Sequence, residues 1–215
     1  MTQASDLLHG VTKGAQSTFL ITNGKVIWID PFRLSGSGDP KADILFITHA
    51  HGDHLSTDDM RKVIKPETIA VGPPDCIAQV PVPDDKKYPV APGETHTIEG
   101  VHVEVVPAYN IDKPYHPRSN NWVGYVIEVA GRRLYHAGDI DRIPELKNIR
   151  ADVVMLPVGG TYTMGPEEAA AAVREDLKPR LAVPIHYTVV GSEAEAQRFK
   201  ELCDEGIVQI LQPSL

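Results

Sequence analysis

The chain has 215 residues, of which 42% are hydrophobic and 23% are charged, and its formal net charge is −8. This composition is that of an ordinary globular protein with enough residues for one large or two small domains. No stretch approaches the roughly 20 apolar residues of a membrane span, and MTQASDLLHG lacks the basic flank and apolar core of a signal peptide, so we expect a cytoplasmic protein. The acidic balance, with no cluster of Lys and Arg, argues against a nucleic-acid partner and leaves a small molecule as the expected substrate.

The first third of the chain has the pattern of β structure. Two apolar runs, residues 17–21 and 26–30, are joined by TNGK, and Asn-Gly between such runs is the strongest short signal for a hairpin. A third strand is predicted over residues 44–48. A serine three residues before an aspartate then resembles a capping box, and apolar residues at helical spacing follow it, which predicts a helix over residues 57–64.

The rest of the chain is predicted as strands first and helices after. Residues 65–95 hold nine prolines or glycines, so one short strand over residues 69–71 is expected among turns. The later elements are predicted as strands over 95–98, 101–106, 122–129, 132–138, 152–156, 181–184 and 207–211, and as helices over 166–177 and 193–205. Because no linker divides these elements, residues 1–215 are predicted to form a single domain of two sheets packed face to face and covered by helices.

Residues 48–54, THAHGDH, place three histidines and one aspartate directly after an apolar run. Neutral imidazole and carboxylate are ligands that suit Zn²⁺ and neighbouring divalent ions. His49 and His51 are two residues apart, as on one side of an extended segment, whereas a helical zinc motif has its histidines at i and i+4. We therefore interpret the motif as metal ligands on a loop that leaves a strand; a solvated histidine-rich turn is the alternative.

Two metal ions about 3.5 to 4 Å apart need further ligands, including one that bridges them. Asp139 and His186 are the best candidates, because each follows an apolar strand, LYHAGD and LAVPIH, where a site-forming loop begins. Taken singly, Asp139 has a second interpretation as a turn residue and His186 as a loop histidine. Cys76 and Cys203 have no metal-ligand spacing and are predicted to be reduced, buried thiols.

These motifs in this order, THAHGDH, then AGD at Asp139, then PIH at His186, resemble the metallo-β-lactamase superfamily. The resemblance covers nearly the whole chain, since TFLITNGKVIWIDP is similar to the first hairpin of that superfamily. VPAYN, YHAGDID, LPVGGTYTMGPEEAA and PIHY look like a branch of metal-dependent hydrolases close to the ascorbate-lactone hydrolases. The resemblance implies an α/β fold, the four-layer αβ/βα sandwich of two mixed β-sheets flanked by helices.

The resemblance also implies two metal sites with a bridging ligand: His49 and His51 for one ion, Asp53, His54 and His186 for the other, and Asp139 between them. In the superfamily, the third ligand of the first ion is usually a histidine after the strand that precedes YHAGD, but VPAYN ends in Asn110 here. The next histidine is His116, in KPYHPRSN, and it competes with Asn110 for that role. A surface histidine is the other interpretation of His116.

The function implied by the resemblance is hydrolysis of a small ester, lactone or phosphoester by a metal-bound hydroxide, with two divalent ions, zinc first and manganese or iron as alternatives. Asp53 is expected to orient the hydroxide or relay its proton. Three other functions stay open: a mono-iron or di-iron redox enzyme, a nuclease, and a metal binder without catalysis. Di-iron relatives typically have glutamate at the position of His51, which favours hydrolysis. A homo-oligomer also stays open.

The other histidines support weaker predictions. His136 is expected to be a hydrogen-bonded core histidine rather than a support for a metal ligand, and His9, His96 and His102 are expected to be structural or exposed. In the loop GGTYTMG, a turn before the following helix is the preferred interpretation, and a Tyr162 hydroxyl that contacts a ligand is the alternative.

Overall fold

The computed structural model describes residues 4–215 and contains two six-stranded sheets. The first half of the chain opens with helix α1 (Ala4–Leu7) and forms the first sheet. Its strands are β1 (Val11–Lys13), β2 (Phe19–Asn23), β3 (Lys25–Ile29), β4 (Ile44–Phe46), β5 (Ile69–Gly72) and β6 (Lys87–Pro89). Between these strands lie helices α2 (Thr57–Val63) and α3 (Pro74–Ile77) and a 3₁₀ turn at Asp84–Lys86.

The second half of the chain forms the second sheet. Its strands are β7 (Thr95–Ile98), β8 (Val101–Pro107), β9 (Val123–Val129), β10 (Arg132–His136), β11 (Val153–Pro157) and β12 (Leu181–Ile185). Its helices are α4 (Pro166–Ala171), which continues with π-helical bonding over Ala172–Leu177, and α5 (Glu193–Leu202). Within residues 4–215, no helix is long and apolar enough to cross a membrane.

Both sheets are mixed, and both have the same plan. In the first sheet, β1 to β3 pair antiparallel and β3 to β6 pair parallel. In the second sheet, β7 to β10 pair antiparallel and β10 to β12 pair parallel. Parallel neighbours end at the same edge of a sheet, so the loops after β3 and β4, and those after β10, β11 and β12, are gathered at common edges.

Side chains alternate between the two faces of each strand, so each sheet has an apolar face toward the other sheet and an apolar face toward the helices. In β3, Ile27 and Ile29 belong to the apolar cluster between the two sheets, whereas Trp28 belongs to a cluster on the outer face, packed with Met60 and Val63 of α2. A third cluster covers the outer face of the second sheet with residues of α4 and α5. Three apolar clusters between four layers confirm the predicted αβ/βα sandwich.

The predicted strand over residues 207–211 is wrong. This segment forms a single bridge, between Val208 and Ala182 at the outer edge of β12. Ala182 donates to the carbonyl before Val208 and accepts from the amide after it, at 2.8 and 3.0 Å. The next residue of β12 that faces this edge is Pro184, which has no N–H to donate, so the ladder ends after one step.

The other differences concern element ends and short elements. The helix predicted over residues 193–205 ends at Leu202, whose carbonyl accepts a 2.6 Å hydrogen bond from Arg174 instead of continuing the helix. The helix predicted over residues 57–64 ends at Val63, and the remaining predicted strands match those observed to within two residues at either end. α1, β1, α3 and β6 were not predicted, because elements of three or four residues are too short to show a periodic pattern.

Candidate metal centre

The candidate ligands lie on loops at strand ends of both sheets. β4 leads into the THAHGDH loop, β10 into the AGD turn, and β12 directly into PIH, while the loop between β8 and β9 comes alongside them. The structure brings seven residues named from the sequence into three overlapping groups of metal-ligand type: His49, His51, Asp53, His54, His116, Asp139 and His186.

The first group contains His49, His51 and His116, with one ring nitrogen of each within 4.8 Å of the others. Nδ1 of His51 lies 3.2 Å from Nε2 of His116. This separation is close to the roughly 3.3 Å between two nitrogens on a tetrahedral ion with bonds of about 2.0 Å. The indole of Trp122 packs against this group, with ring centroids 5.1 Å from His49 and 4.9 Å from His51.

The second group contains Asp53, His54 and His186. Oδ2 of Asp53 lies 3.7 Å from Nε2 of His54 and 3.5 Å from Nε2 of His186. Both histidines are buried, whereas a quarter of the Asp53 side chain is exposed. Asp53 is therefore the member of this group that a molecule from solvent can reach.

Asp139 lies between the two groups and is 3% exposed. Its Oδ2 is 2.9 Å from Nε2 of His186 and 3.2 Å from Nε2 of His116, while its Oδ1 is 3.3 Å from Nε2 of His54. One carboxylate thus contacts histidines of both groups. That arrangement is the one a bridging ligand needs.

Four buried atoms of the cluster residues have no hydrogen-bond partner among residues 4–215: Nε2 of His49, Nε2 of His54, Oδ1 of Asp139 and Nδ1 of His186. A buried polar atom left unsatisfied costs about 1–3 kcal/mol, so native structures avoid several of them at one point. His49, His54 and Asp139 form one of the groups of metal-ligand type, so cations bound there would satisfy three of the four atoms. The donor set of imidazole and carboxylate therefore fits divalent metal ions.

Asp30, which follows β3, orients two of the histidines. Its Oδ2 accepts from the Thr48 hydroxyl at 2.6 Å and from Nδ1 of His54 at 2.7 Å. Because the Thr48 hydroxyl donates to Asp30, it accepts from Nδ1 of His49, at 3.0 Å. Both rings therefore have their proton on Nδ1 and present the lone pair of Nε2 to the cluster.

Asn110 supports His116. Its Oδ1 accepts from the backbone amide of His116 at 3.0 Å and from Nδ1 of the same residue at 2.9 Å. Its Nδ2 donates to the carbonyl of Tyr162 at 3.0 Å. Since both polar atoms of the Asn110 side chain are engaged in this way, the geometry favours His116 as the third residue of the first group and Asn110 as its support.

Gln16 supports the second group from the loop between β1 and β2. Its Nε2 donates to Oδ2 of Asp53 at 3.3 Å, its Oε1 accepts from the amide of Val189 at 3.0 Å, and its carbonyl accepts from the amide of His186 at 3.2 Å. His186 has a φ of 56°, in the left-handed region that costs a non-glycine residue roughly 1–2 kcal/mol. The surrounding contacts hold this strained backbone at the site.

Burial and neighbouring charges give the cluster strong electrostatic character. Burial lowers the pKa of His49 well below its usual value. Burial opposes ionisation of Asp53 and Asp139, but nearby histidines outweigh it, so the pKa of Asp53 is about 2 and that of Asp139 is well below its usual range. Against burial, Asp139 raises the pKa of His186 to about 9. Two ionised carboxylates among histidines therefore attract positive charge to this point.

The cluster lies on the floor of a cleft of about 370 Å³. Tyr115, Tyr162, Val189 and Val190 line the cleft together with cluster residues. The backbone of GGTYTMG bends before α4, and Tyr162 of this loop contributes to the wall of the cleft.

Asp30, Gln16 and Trp122 were missed by the sequence analysis. Asp30 has the same signal as Asp139, a carboxylate directly after an apolar strand, whereas Gln16 lies in a loop without a pattern. His136 is a buried, hydrogen-bonded histidine as predicted, with Nε2 2.8 Å from the carbonyl of Ser17. The two cysteines are free; Cys76 is buried as predicted, but Cys203 is only partly buried.

Comparison with known proteins identifies the class. Residues 11–186 match the family described as the Beta-lactamase superfamily domain, so the fold and the ligand motifs define a protein of metallo-β-lactamase type. A UPF0173 metal-dependent hydrolase from Thermus thermophilus is 35% identical over 206 residues, which cover 88% of this chain and 91% of that protein. The chain therefore belongs to the metallo-β-lactamase superfamily, in the UPF0173 family of metal-dependent hydrolases.

Solved structures agree with this assignment. A candidate metal-dependent hydrolase from Parabacteroides distasonis has a TM-score of 0.82 at 32% identity, over 95% of this chain and 93% of that chain. CmlA, a diiron β-hydroxylase from Streptomyces venezuelae, has a TM-score of 0.74 at 14% identity, over 94% of this chain and 52% of its own. The second similarity shows the fold alone. Membership of this family confirms the prediction of a metal-dependent hydrolase. It does not define the number or identity of the metal ions, or the substrate.

Proposed function

We propose that this protein binds two zinc ions and hydrolyses a small ester, lactone or phosphoester. The main observation is the convergence of three buried, unpartnered ligand atoms, one each from His49, His54 and Asp139. An all-imidazole and carboxylate donor set suits Zn²⁺. The resemblance of the motifs to ascorbate-lactone hydrolases supports the inclusion of lactones among the substrates.

The proposed ligand assignment follows the two groups. The ion nearer the β8–β9 loop is held by His49, His51 and His116; the other is held by Asp53, His54 and His186; and Asp139 contributes to both. This assignment adds His116 to the set that the sequence resemblance implied. Asn110 is then a support for His116 and not a ligand.

When bound by these residues, divalent ions would supply a water molecule with a pKa lowered toward about 7 and a positive charge that polarises the substrate oxygen. Side chains of this protein orient the ligand rings and transfer the proton. Asp30 and Asn110 keep the ring protons of His54 and His116 on Nδ1, away from the cleft. Asp53 is ionised at neutral pH and a quarter of its side chain is exposed at the cleft, so its Oδ2 can accept a water proton and pass it to the leaving oxygen. Hydrolysis joins the water oxygen to the acyl carbon or phosphorus, breaks the bond to the leaving oxygen, and protonates that oxygen.

Elemental analysis and a substrate screen test the proposal. Protein purified without added metal, then stripped with EDTA and dialysed against zinc, should hold two zinc ions per chain and turn over a γ-lactone, 4-nitrophenyl acetate or bis(4-nitrophenyl) phosphate. Asp139→Ala should lower turnover roughly 100-fold or more and reduce bound zinc, because it removes a contact to both groups. Asp152→Ala, at the start of β11 and outside the cluster, is the matched control.

Three results would contradict the proposal. Stoichiometric iron with a visible absorption band in the protein as purified, before EDTA is added, would indicate the redox alternative. Cleavage of RNA without turnover of the small substrates would indicate a nuclease. Unchanged turnover in Asp139→Ala would rule out a bridging role for this carboxylate.

A further inference from the structure

One side of the cleft is apolar. Tyr115, Tyr162, Val189 and Val190 line it, and we refer to these four residues as the tyrosine–valine wall. The two tyrosine rings pack edge to face, with centroids 4.6 Å apart. Tyr115 is 41% exposed, and Ile111 on the same loop is 54% exposed. Large apolar side chains exposed beside a cleft are typical of a binding surface for an apolar group.

The tyrosine–valine wall shares its supports with the metal centre. Asn110 donates to the carbonyl of Tyr162 and accepts from His116. Gln16 accepts from the amide of Val189 and donates to Asp53. A group packed on the wall is therefore positioned relative to the candidate ligands by the same two side chains.

The cleft offers no partner for an additional anionic group. None of the described residues that line it is Lys or Arg. The two cations of the β8–β9 loop are already paired: Lys113 with Asp141 at 2.5 Å, and Arg118 with Glu145 at 3.1 Å. An anionic group that packs on the tyrosine–valine wall would therefore lose its hydration without gaining a cationic side chain as a partner.

We infer that the substrate is an uncharged carboxylic ester or lactone with an apolar acyl group that packs on the tyrosine–valine wall. This inference rests on the proposed hydrolase function and narrows its substrate class, because it selects an apolar acyl group over an acyl group with a terminal carboxylate and over a phosphoester, which has no acyl group to pack on the wall. In the reaction, the water oxygen bonds to the acyl carbon, the bond between that carbon and the alcohol oxygen breaks, and one water proton goes to the alcohol oxygen.

A matched pair of esters tests the charge argument on the zinc-loaded protein. The probes are 4-nitrophenyl pentanoate and the mono-4-nitrophenyl ester of glutaric acid, which has the same chain length but ends in a carboxylate. We expect kcat/KM to be roughly tenfold or more higher for the pentanoate, because an unpaired charge on the apolar wall loses its hydration. Bis(4-nitrophenyl) phosphate has no acyl group for the wall and should be a poorer substrate than the pentanoate.

A pair of tyrosine variants tests the wall. Tyr115→Ala should raise KM for the pentanoate roughly fivefold, since about 1 kcal/mol of apolar contact is lost. It should raise KM for 4-nitrophenyl acetate by less, because the short acetyl group covers less of the wall. Tyr88→Ala is the control, because Tyr88 is similarly exposed, at 37%, but lies on β6 outside the cleft lining. It should match the wild type with both esters.

The outcomes separate this inference from the proposed function. Equal or better turnover of the glutarate ester or the phosphodiester overturns the inference and leaves a metal-dependent hydrolase in place. A Tyr115→Ala protein that behaves like Tyr88→Ala overturns it as well, as does failure to cleave the pentanoate with two zinc ions bound. Failure to bind zinc and to cleave any probe overturns both the inference and the proposed function.

Discussion

At the scale of single residues, Asn110 shows how a residue that replaces an expected ligand can still serve the metal centre. Its carboxamide accepts two hydrogen bonds from His116, which fixes both the backbone and the ring of that residue. The loop from 111 to 122 is anchored further by Asp141, which accepts from the amide of Ile111 at 3.0 Å and pairs with Lys113. Asn110 thus holds the ring of His116, six residues later in the chain, in the cluster.

We predict that Asn110→Ala weakens zinc binding at the first group by roughly 10- to 100-fold, because supports of metal ligands contribute about that much to affinity. The second group should keep its affinity, so zinc per chain should fall from two toward one at limiting free zinc. Equilibrium dialysis against a zinc buffer, followed by elemental analysis, measures this stoichiometry.

Asn110→Asp is the conservative comparison, because an aspartate retains the acceptor for His116 and should recover most of the zinc. Asn148→Ala, at an exposed asparagine of the turn Pro144–Asn148, is the matched control for loss of a carboxamide. Two zinc ions at wild-type affinity in Asn110→Ala would show that His116 needs no support from this residue.

At the scale of the elements, the centre is built from strand ends, and Asp30 joins two of them. It follows β3, and it accepts from the amide and hydroxyl of Thr48, after β4, and from His54. Its own φ of 45° is in the left-handed region, so the turn after β3 is held in a strained conformation by these contacts. This carboxylate connects the β3–β4 pairing to the orientation of two histidines.

Asp30→Asn should therefore reduce both zinc affinity and stability. Oδ1 and Oδ2 of Asp30 accept three hydrogen bonds, whereas an amide has one acceptor oxygen. We therefore expect zinc binding to weaken roughly 10- to 100-fold and the free energy of unfolding to fall by roughly 2 kcal/mol. Zinc titration and urea unfolding measure the two effects separately.

Asp43→Asn is the matched control for this prediction. Asp43 also lies at a strand end and accepts hydrogen bonds, from the amide of Val26 at 2.9 Å and from the Lys65 ammonium at 2.5 Å. It is not one of the cluster residues. Its replacement should cost stability without changing zinc affinity. Similar zinc affinities for the two variants would indicate that Asp30 is a structural residue only.

The position of the site at strand ends also explains which strands and which site residues could be predicted from the sequence. Alternation and apolar runs predicted nearly every strand of four or more residues, and a polar residue after such a run indicated Asp139 and His186. The same rule, applied to VIWID, would have indicated Asp30. Gln16 could not be predicted, because it reaches Asp53 only when the loop before β2 packs beside the loop after β12.

The failure at residues 207–211 has a related cause. An apolar run predicts that a segment is buried, and Val208 is buried, but a strand also needs a neighbour with free N–H groups. Pro184 removes that group on the edge of β12 that this segment meets, and its effect depends on a pairing between residues far apart in sequence. Local patterns do not contain that information.

At the scale of the whole molecule, the cluster joins the two halves of the sandwich. THAHGDH belongs to the half that forms the first sheet, whereas His116, Asp139 and His186 belong to the half that forms the second. The halves also share the central apolar cluster, and the hydroxyl of Tyr125 on β9 donates to the carbonyl of Ile47 after β4 at 2.6 Å. Metal ions in the cluster would therefore link residues that separate when the sandwich opens.

Zinc should consequently stabilise the whole protein and not one loop. Because the unfolded chain does not present these ligands together, free zinc at 1,000 times the dissociation constant should add about 4 kcal/mol to the free energy of unfolding. We expect a single unfolding transition whose Tm falls when EDTA is added and recovers with zinc. Asp139→Ala should show a Tm that changes much less with EDTA, whereas Asp152→Ala should respond as the wild type does. A zinc-dependent shift confined to a local transition, with an unchanged main transition, would show that the ions order the cleft without linking the two sheets.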